Sequence, residues 1–158
     1  FNENRKFHEL SYVDFNSSIN AEAIDEKLSG LNWVSPFNSN PKEEIELAKL
    51  SKKILQQDTR NKMVLTDYLF FSAILDEKLH SPSRTYDPIS YPSKKNKYFQ
   101  KYKLFFLNKI KENKIQVIYM INFDGVDENL VLYDYLGKNC LIKETISKEI
   151  KKFEFKKC

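Results

Sequence analysis

At 158 residues the chain is the length of one domain, long enough to bury about two-thirds of the surface that its unfolded form exposes, so neither a metal nor a disulfide is required merely to fold. Hydrophobic residues at 41%, aromatics at 14% and charged residues at 30% are globular values that exclude a disordered chain, and no stretch reaches the ~20 apolar residues of a membrane span. The net charge of +4 is unevenly divided, with residues 1–92 at −3 and residues 93–158 at +7; of the 26 basic residues 23 are Lys, which lacks the forked geometry that reads phosphates and guanine edges.

The chain starts at Phe1 rather than Met, which predicts a processed protein or a piece of a longer one. Residues 5–15 alternate loosely and are rich in β-formers, predicting an extended strand. Ile19 to Leu28 reads as a short helix stopped by Gly30, and Leu31 to Pro36 as a buried loop or short strand anchored by Trp33. Asn40-Pro41-Lys-Glu43-Glu44 is the cleanest local signal: a capping Asn, Pro at the first helical position and carboxylates in the first turn, opening a helix to about Gln57.

The only long run dominated by apolar residues is Asn61 to Leu75. Met63 to Leu65 reads as a buried strand, Thr66 or Asp67 as a helix N-cap and residues 68–76 as a helix packed back on that strand, which is half of a βαβ unit. Ser81 to Ser93 holds three prolines, Pro82, Pro88 and Pro92, and is an irregular surface excursion. Asn96 to Glu112 is a helix with Phe99, Tyr102, Phe106 and Ile110 on one face and lysines on the other; Ile115 to Ile121 is a second strand buried on both faces. Asp127 to Leu136 is a helix stopped by Gly137, followed by strands near Leu141 to Ile146 and in Lys151 to Lys157, where Phe153 and Phe155 share a face. Helices between strands predict a single three-layer α/β domain with a mainly parallel sheet, helices on both faces and an antiparallel edge strand at the C-terminus.

No residue set identifies a reaction, so no catalytic residue is assigned. Gly30, Gly125 and Gly137 are the only glycines, which excludes a glycine-rich phosphate loop; no cofactor is implied. His8, His80, Cys140 and Cys158 are scattered without paired metal-ligand spacing, so no metal site is assigned either. The ligand-binding candidates are Thr66, Asp67 and Tyr68 at the strand's carboxyl end, where open α/β sheets bind ligands, with Arg84 and Tyr86 on the proline-rich loop. If that loop folds back, a helix N-terminus and Arg84 jointly hold an anionic group; the plainer alternative makes Thr66 and Asp67 caps and Arg84 a loop pin. The lysine-rich residues 94–114 carry aromatics at helical spacing, which belong to a core rather than to base-stacking platforms, so nucleic acid is not an expected partner.

The order of local motifs carries a resemblance. Lys6-Phe7-His8-Glu9-Leu10, Leu28-Ser-Gly30-Leu-Asn-Trp33-Val-Ser-Pro36, Asn40-Pro-Lys-Glu-Glu44, Asn61-Lys-Met-Val-Leu-Thr-Asp-Tyr68, Ser81-Pro-Ser-Arg84, Asn96-Lys-Tyr-Phe99 with Phe105-Phe106, and the final Cys140 and Cys158 resemble the soluble C-terminal domain of bacterial polytopic membrane proteins similar to the GT-C class of glycosyltransferases. The resemblance implies a periplasmic domain on the extracytoplasmic face of the inner membrane. Its partners are then its own transmembrane region and a lipid-phosphate-linked sugar or other anionic ligand. The catalytic loop of that class has no counterpart here, so the resemblance implies a non-catalytic accessory role. The alternative is a free-standing α/β enzyme or binding domain for an anionic small molecule at the Thr66 to Tyr68 strand end. An oxidising compartment allows one pairing, and a Cys140–Cys158 bond is therefore expected, whose loop closure stabilises by roughly 3 kcal/mol in the chain-entropy model.

Overall fold

The computed structural model describes residues 11–123, 125–137 and 141–156. His8, Cys140, Cys158 and most of the strand expected over residues 5–15 therefore lie outside the described residues. The chain divides into two compact units, Phe1–Ile54 and Leu55–Cys158. Helices and sheets are mixed, so the fold is broadly α/β.

In the first unit, β1 (Val13–Asn20) and β2 (Asn32–Pro36) form an antiparallel pair, in register at Val13 with Pro36 and again at Ile19 with Trp33. The irregularity between those points is held locally: the Asp14 carboxylate accepts from the Asn16 N–H at 3.0 Å and the Asp14 carbonyl from the Ser17 hydroxyl at 3.3 Å. The helix expected from Ile19 to Leu28 is instead the end of β1 and two single 3₁₀ turns, Ala21–Ala23 and Glu26–Leu28. Asn20 and Asp25 each bend back to accept the N–H two residues on, at 3.0 Å and 2.9 Å, and these local bonds outcompete a ladder that Ile24 and Leu28 alone cannot support.

Helix α1 (Pro41–Gln57) has the bounds expected. Asn40 accepts from the Lys42 N–H at 3.1 Å and donates to Glu43 at 2.9 Å, satisfying orphan groups of the first turn. Glu44 takes the Trp33 indole N–H at 2.8 Å and the Ser35 hydroxyl, tying β2 to the helix start. Lys52 pairs with Asp25 at 2.6 Å, which fixes the 3₁₀ turns to the helix.

The second unit is built on a four-stranded sheet in the order β3 (Lys62–Leu65), β4 (Val117–Ile121), β6 (Ile150–Phe155), β5 (Leu141–Thr145). β3 and β4 are parallel neighbours, both buried throughout as their apolar runs predict. The sheet is mixed rather than mainly parallel, because β4 with β6 and β6 with β5 pair antiparallel. The last strand is antiparallel, but it lies inside the sheet; β5 takes the edge, with Ile142 to Thr145 exposed. Charged Lys143 and Glu144 on that edge discourage further strand addition.

The register sorts the sheet into two faces. Met63, Leu65, Ile118, Met120 and Phe153 lie on one and join a core with Tyr86, Tyr91, Phe106 of α3 (Phe99–Glu112), and Leu130, Val131, Leu132 and Tyr135. Val64, Val117, Tyr119, Ile121 and Ile150 lie on the other, each 2% exposed or less. The helix expected over residues 127–136 is present as a π-helical segment, Asn129–Asp134, whose wider turn sets three successive residues, Leu130 to Leu132, into the interior. Glu128, before it, receives Lys143 and Lys151, both at 2.6 Å, and so clamps that segment to β5 and β6.

Two ionic features on the second face have no counterpart in the expectations. Lys62 is 1% exposed, and its ammonium reaches the Glu77 carboxylate at 2.5 Å. Asp58 accepts two bonds from the Arg60 guanidinium, at 2.9 and 2.7 Å, one from the Arg60 N–H at 3.1 Å and one from the Tyr119 hydroxyl at 2.6 Å, while Arg60 reaches Glu154 at 3.1 Å. The Arg60 bonds hold the Asp58 carboxyl well below the usual carboxylate range although burial opposes them.

Candidate functional site

The edge of β3 that faces away from β4 is occupied by the chain that follows α2 (Phe71–Leu75). The Val64 N–H donates to the Leu79 carbonyl at 3.0 Å and the Tyr86 N–H to the Thr66 carbonyl at 2.9 Å. The proline-rich loop thus does fold back along the strand and past its carboxyl end. Its tip is braced by short-range polar contacts that suit a rigid turn: the Ser83 hydroxyl donates to the Thr85 carbonyl, and Asp87 accepts from the Ile89 N–H at 3.0 Å and the Ser90 hydroxyl at 2.9 Å. These bonds, that from Ser90 foremost, hold the Asp87 carboxyl below its ordinary range.

Between the strand and this returning chain lies a small cavity of about 50 Å³ lined by Val64, Thr66, Tyr68, Leu69, Ser72, Leu79, Ser81 and Arg84. Three of the five expected residues, Thr66, Tyr68 and Arg84, therefore converge. Among the described residues Arg84 has no carboxylate partner, and the Ser81 hydroxyl is buried without a hydrogen-bond partner. An arginine and a serine with an unsatisfied hydroxyl, both lining one cavity, suit a small group rich in acceptor oxygens. The volume is far below the ~300–1,000 Å³ of pockets for drug-sized ligands, so one anionic group fits and a whole sugar does not.

The other two expected residues lie elsewhere. Asp67 turns to the neighbouring strand end, where both of its oxygens accept from the Asn122 amide at 3.1 Å. Asn122 follows β4 with φ 49°, a left-handed conformation that Asn tolerates better than most residues. Tyr86 is a core residue, 1% exposed and stacked on Tyr91 at 5.4 Å, and burial pushes its hydroxyl far above its ordinary pKa. Its hydroxyl and that of Tyr102 are both buried without a partner at hydrogen-bond geometry.

The capping roles expected of Thr66 and Asp67 are also corrected. Helix α2 runs only from Phe71 to Leu75, its N-cap is Phe70 without a side-chain bond, and five residues supply little macrodipole. Thr66 instead accepts the Tyr68 N–H at 3.1 Å and closes a turn. The segment 68–71 is spent on packing aromatic rings, with Phe70 and Phe71 centroids 4.7 Å apart, and aromatic residues are poor helix initiators. The polar residues that line the cavity are therefore Arg84 and hydroxyl-bearing side chains, with no helix end among them.

Sequence reading missed Ser81, Ser72 and Asn122. A Ser beside Pro82 in a loop carries no periodic signal; Asn122 just after an apolar strand was the one legible cue. His80 stands next to the cavity with φ 54°, and burial followed by the nearby charges of Lys78 and Lys109 lowers its pKa. Among the described residues no three His, Cys, Asp or Glu side chains converge as metal ligands would, and no helix is long and apolar enough to cross a membrane. No protein-family model matches the chain, and no curated protein or solved structure is significantly similar to it.

Proposed function

We propose that the chain is a non-catalytic accessory domain that holds a small anionic group, a phosphate or carboxylate, in the cavity formed by Thr66, Tyr68, Ser81 and Arg84. The observation that carries this reading is that Arg84, without a carboxylate partner among the described residues, lines the same cavity as Ser81, whose hydroxyl is buried and unpartnered. The cavity's size supports an anionic end group of a larger molecule, with the remainder outside. Motif order supports the wider context: an extracytoplasmic domain of a membrane-embedded, glycosyltransferase-like protein that uses lipid-phosphate-linked sugars, partnered by its own transmembrane region. The three-layer arrangement belongs to the same proposal, supported by buried apolar residues on both faces of the sheet.

A free-standing binding domain is the second reading, favoured by the fact that every cavity residue lies between 64 and 84, within one compact unit. Repeated apolar segments of about 20 residues encoded upstream of Phe1 support the membrane context; a start codon within a few residues supports the second reading. The site itself is tested by calorimetric titration of a sugar phosphate and of the free sugar. The phosphate is expected to bind and the free sugar not, with Arg84→Ala weakening binding at least tenfold, the scale of a charge-assisted bond worth about 1.5–3 kcal/mol. Equal binding of both ligands, or an unchanged affinity in Arg84→Ala, overturns the assignment.

A further inference from the structure

Helix α3 buries Phe106 and half-buries Phe99, Tyr102 and Ile110 against the core, as its periodicity requires. Its opposite face is not the plain polar face of a solvated helix. Leu104 is 61% exposed and Phe105 45%, with Tyr98 just before the helix at 55%. At 100° per residue, Lys101, Leu104, Phe105, Asn108 and Lys111 fall on one stripe of the helix, and Lys97 and Tyr98 lie exposed just before its first turn. Ile89, 92% exposed, lines an open groove of about 470 Å³ together with Tyr98, Lys101 and Tyr102, so it adjoins the same stripe.

The charge that residues 93–111 bring to this surface is of one sign. Residues 93–111 contain seven Lys and no Asp or Glu; Glu112 stands alone at the far end. Lys94 pairs with Asp134 at 2.8 Å and Lys103 donates to the Asp134 carbonyl at 2.8 Å. Lys95, Lys97, Lys101, Lys109 and Lys111 have no carboxylate partner among the described residues. Lys97 and Lys109 lie over the rings of Tyr98 and Phe105, at 4.9 and 5.9 Å from the centroids, so apolar and cationic groups are interleaved.

We propose that this face of α3, with Ile89 beside it, docks onto an anionic lipid bilayer. Exposed Leu, Ile and aromatic side chains enter the headgroup boundary, and lysines on long apolar stems reach outward to the lipid phosphates. Two other occupants fit less well. Lysine is depleted in protein–protein interfaces, and a stacking platform for nucleic acid gains nothing from exposed Leu104 and Ile89 and is normally served by Arg, of which this face has none. The inference does not rest on the strand-end cavity, which lies on other residues and is read by anion titration.

The test is co-sedimentation of the 158-residue chain with vesicles of phosphatidylcholine alone and with about one-third phosphatidylserine, at about 0.1 M and about 0.5 M salt. Binding is expected to the anionic vesicles only and to weaken at high salt. Lys97→Gln with Lys101→Gln is expected to weaken it about 25-fold, since each lysine near the surface contributes about fivefold, and Leu104→Ser with Phe105→Ser at least tenfold. All four positions are solvent-facing, and an unchanged circular dichroism spectrum checks each variant; the lipid and salt dependence of the unmutated chain decides the question even without them. Equal binding to neutral vesicles, no binding at low salt, full binding by the Leu104→Ser/Phe105→Ser variant, or displacement from vesicles by a single-stranded oligonucleotide overturns the proposal, the last in favour of a nucleic-acid surface.

Discussion

Replacing Glu77 by Ala leaves the Lys62 ammonium, 1% exposed, without the carboxylate that it now reaches at 2.5 Å. An exposed pair is worth about 0.2–1 kcal/mol, whereas removing one partner of a fully buried pair costs about 3–5 kcal/mol. The Glu77 side chain is 36% exposed, so water reaches one end of the pair, and the expected loss lies between those limits, at about 2–3 kcal/mol. For a chain of this length that is a fall in Tm of roughly 5–10 °C. The complementary change, Lys62→Met, removes the buried charge while Glu77 solvates, and is expected to cost less than about 1 kcal/mol. The double variant should then recover most of the Glu77→Ala loss. Urea unfolding followed by circular dichroism gives all three values. If Glu77→Ala costs under about 1 kcal/mol, or Lys62→Met costs more than Glu77→Ala, desolvation of Lys62 is not what makes the pair matter.

Three further outcomes are expected. Tyr86→Phe removes a buried hydroxyl that has no hydrogen-bond partner and should stabilise the protein by up to about 1 kcal/mol in a denaturant titration, where a loss of similar size would show that the hydroxyl is satisfied in solution. Gly125→Ala combines a φ of 75° with a Cβ 2.9 Å from the Pro88 ring; it should cost about 1–2 kcal/mol by thermal unfolding and loosen the proline-rich loop, and a neutral result would mean that this loop is not packed there. The folded pKa of Asp58 is depressed, so its contribution is present above the unfolded value near 3.9 and is lost progressively as pH falls through that value toward the depressed folded one. The stability gap between the unmutated chain and Asp58→Asn should therefore narrow on acidification from about pH 6 to about pH 2, whereas a constant gap would exclude linkage through this carboxylate.

What was legible in the sequence was what periodicity and capping encode. Asn40-Pro41 with Glu43 and Glu44 fixed the start of α1, and two apolar runs too short for helices located β3 and β4 as buried neighbours. Strand order was not legible, because β6 reads alike whether it lies at an edge or beside β4; only the long-range register of Ile118 with Phe153 settles it. The failed helices have local causes: side-chain oxygens of Asn20 and Asp25 competing for N–H groups, and aromatic packing that holds α2 to five residues. Of the candidate residues, Thr66 and Tyr68 from the strand end and Arg84 from the proline-rich loop line one cavity, and Ser81 was not foreseen there, since its place comes from a loop returning along the strand. Asp67 and Tyr86 had the same sequence credentials, and a cross-strand amide and the hydrophobic core claimed them instead.

The anion site is tested most directly by a residue-resolved amide chemical-shift titration of the chain with inorganic phosphate at low salt, repeated with Arg84→Ala. Saturable shifts are expected at Thr66, Tyr68, Ser81 and Arg84, around the cavity between β3 and the returning loop, with at least a tenfold weaker affinity in the variant. Saturable shifts confined to other residues, an absence of saturable shifts, or an affinity unchanged by Arg84→Ala would contradict the account.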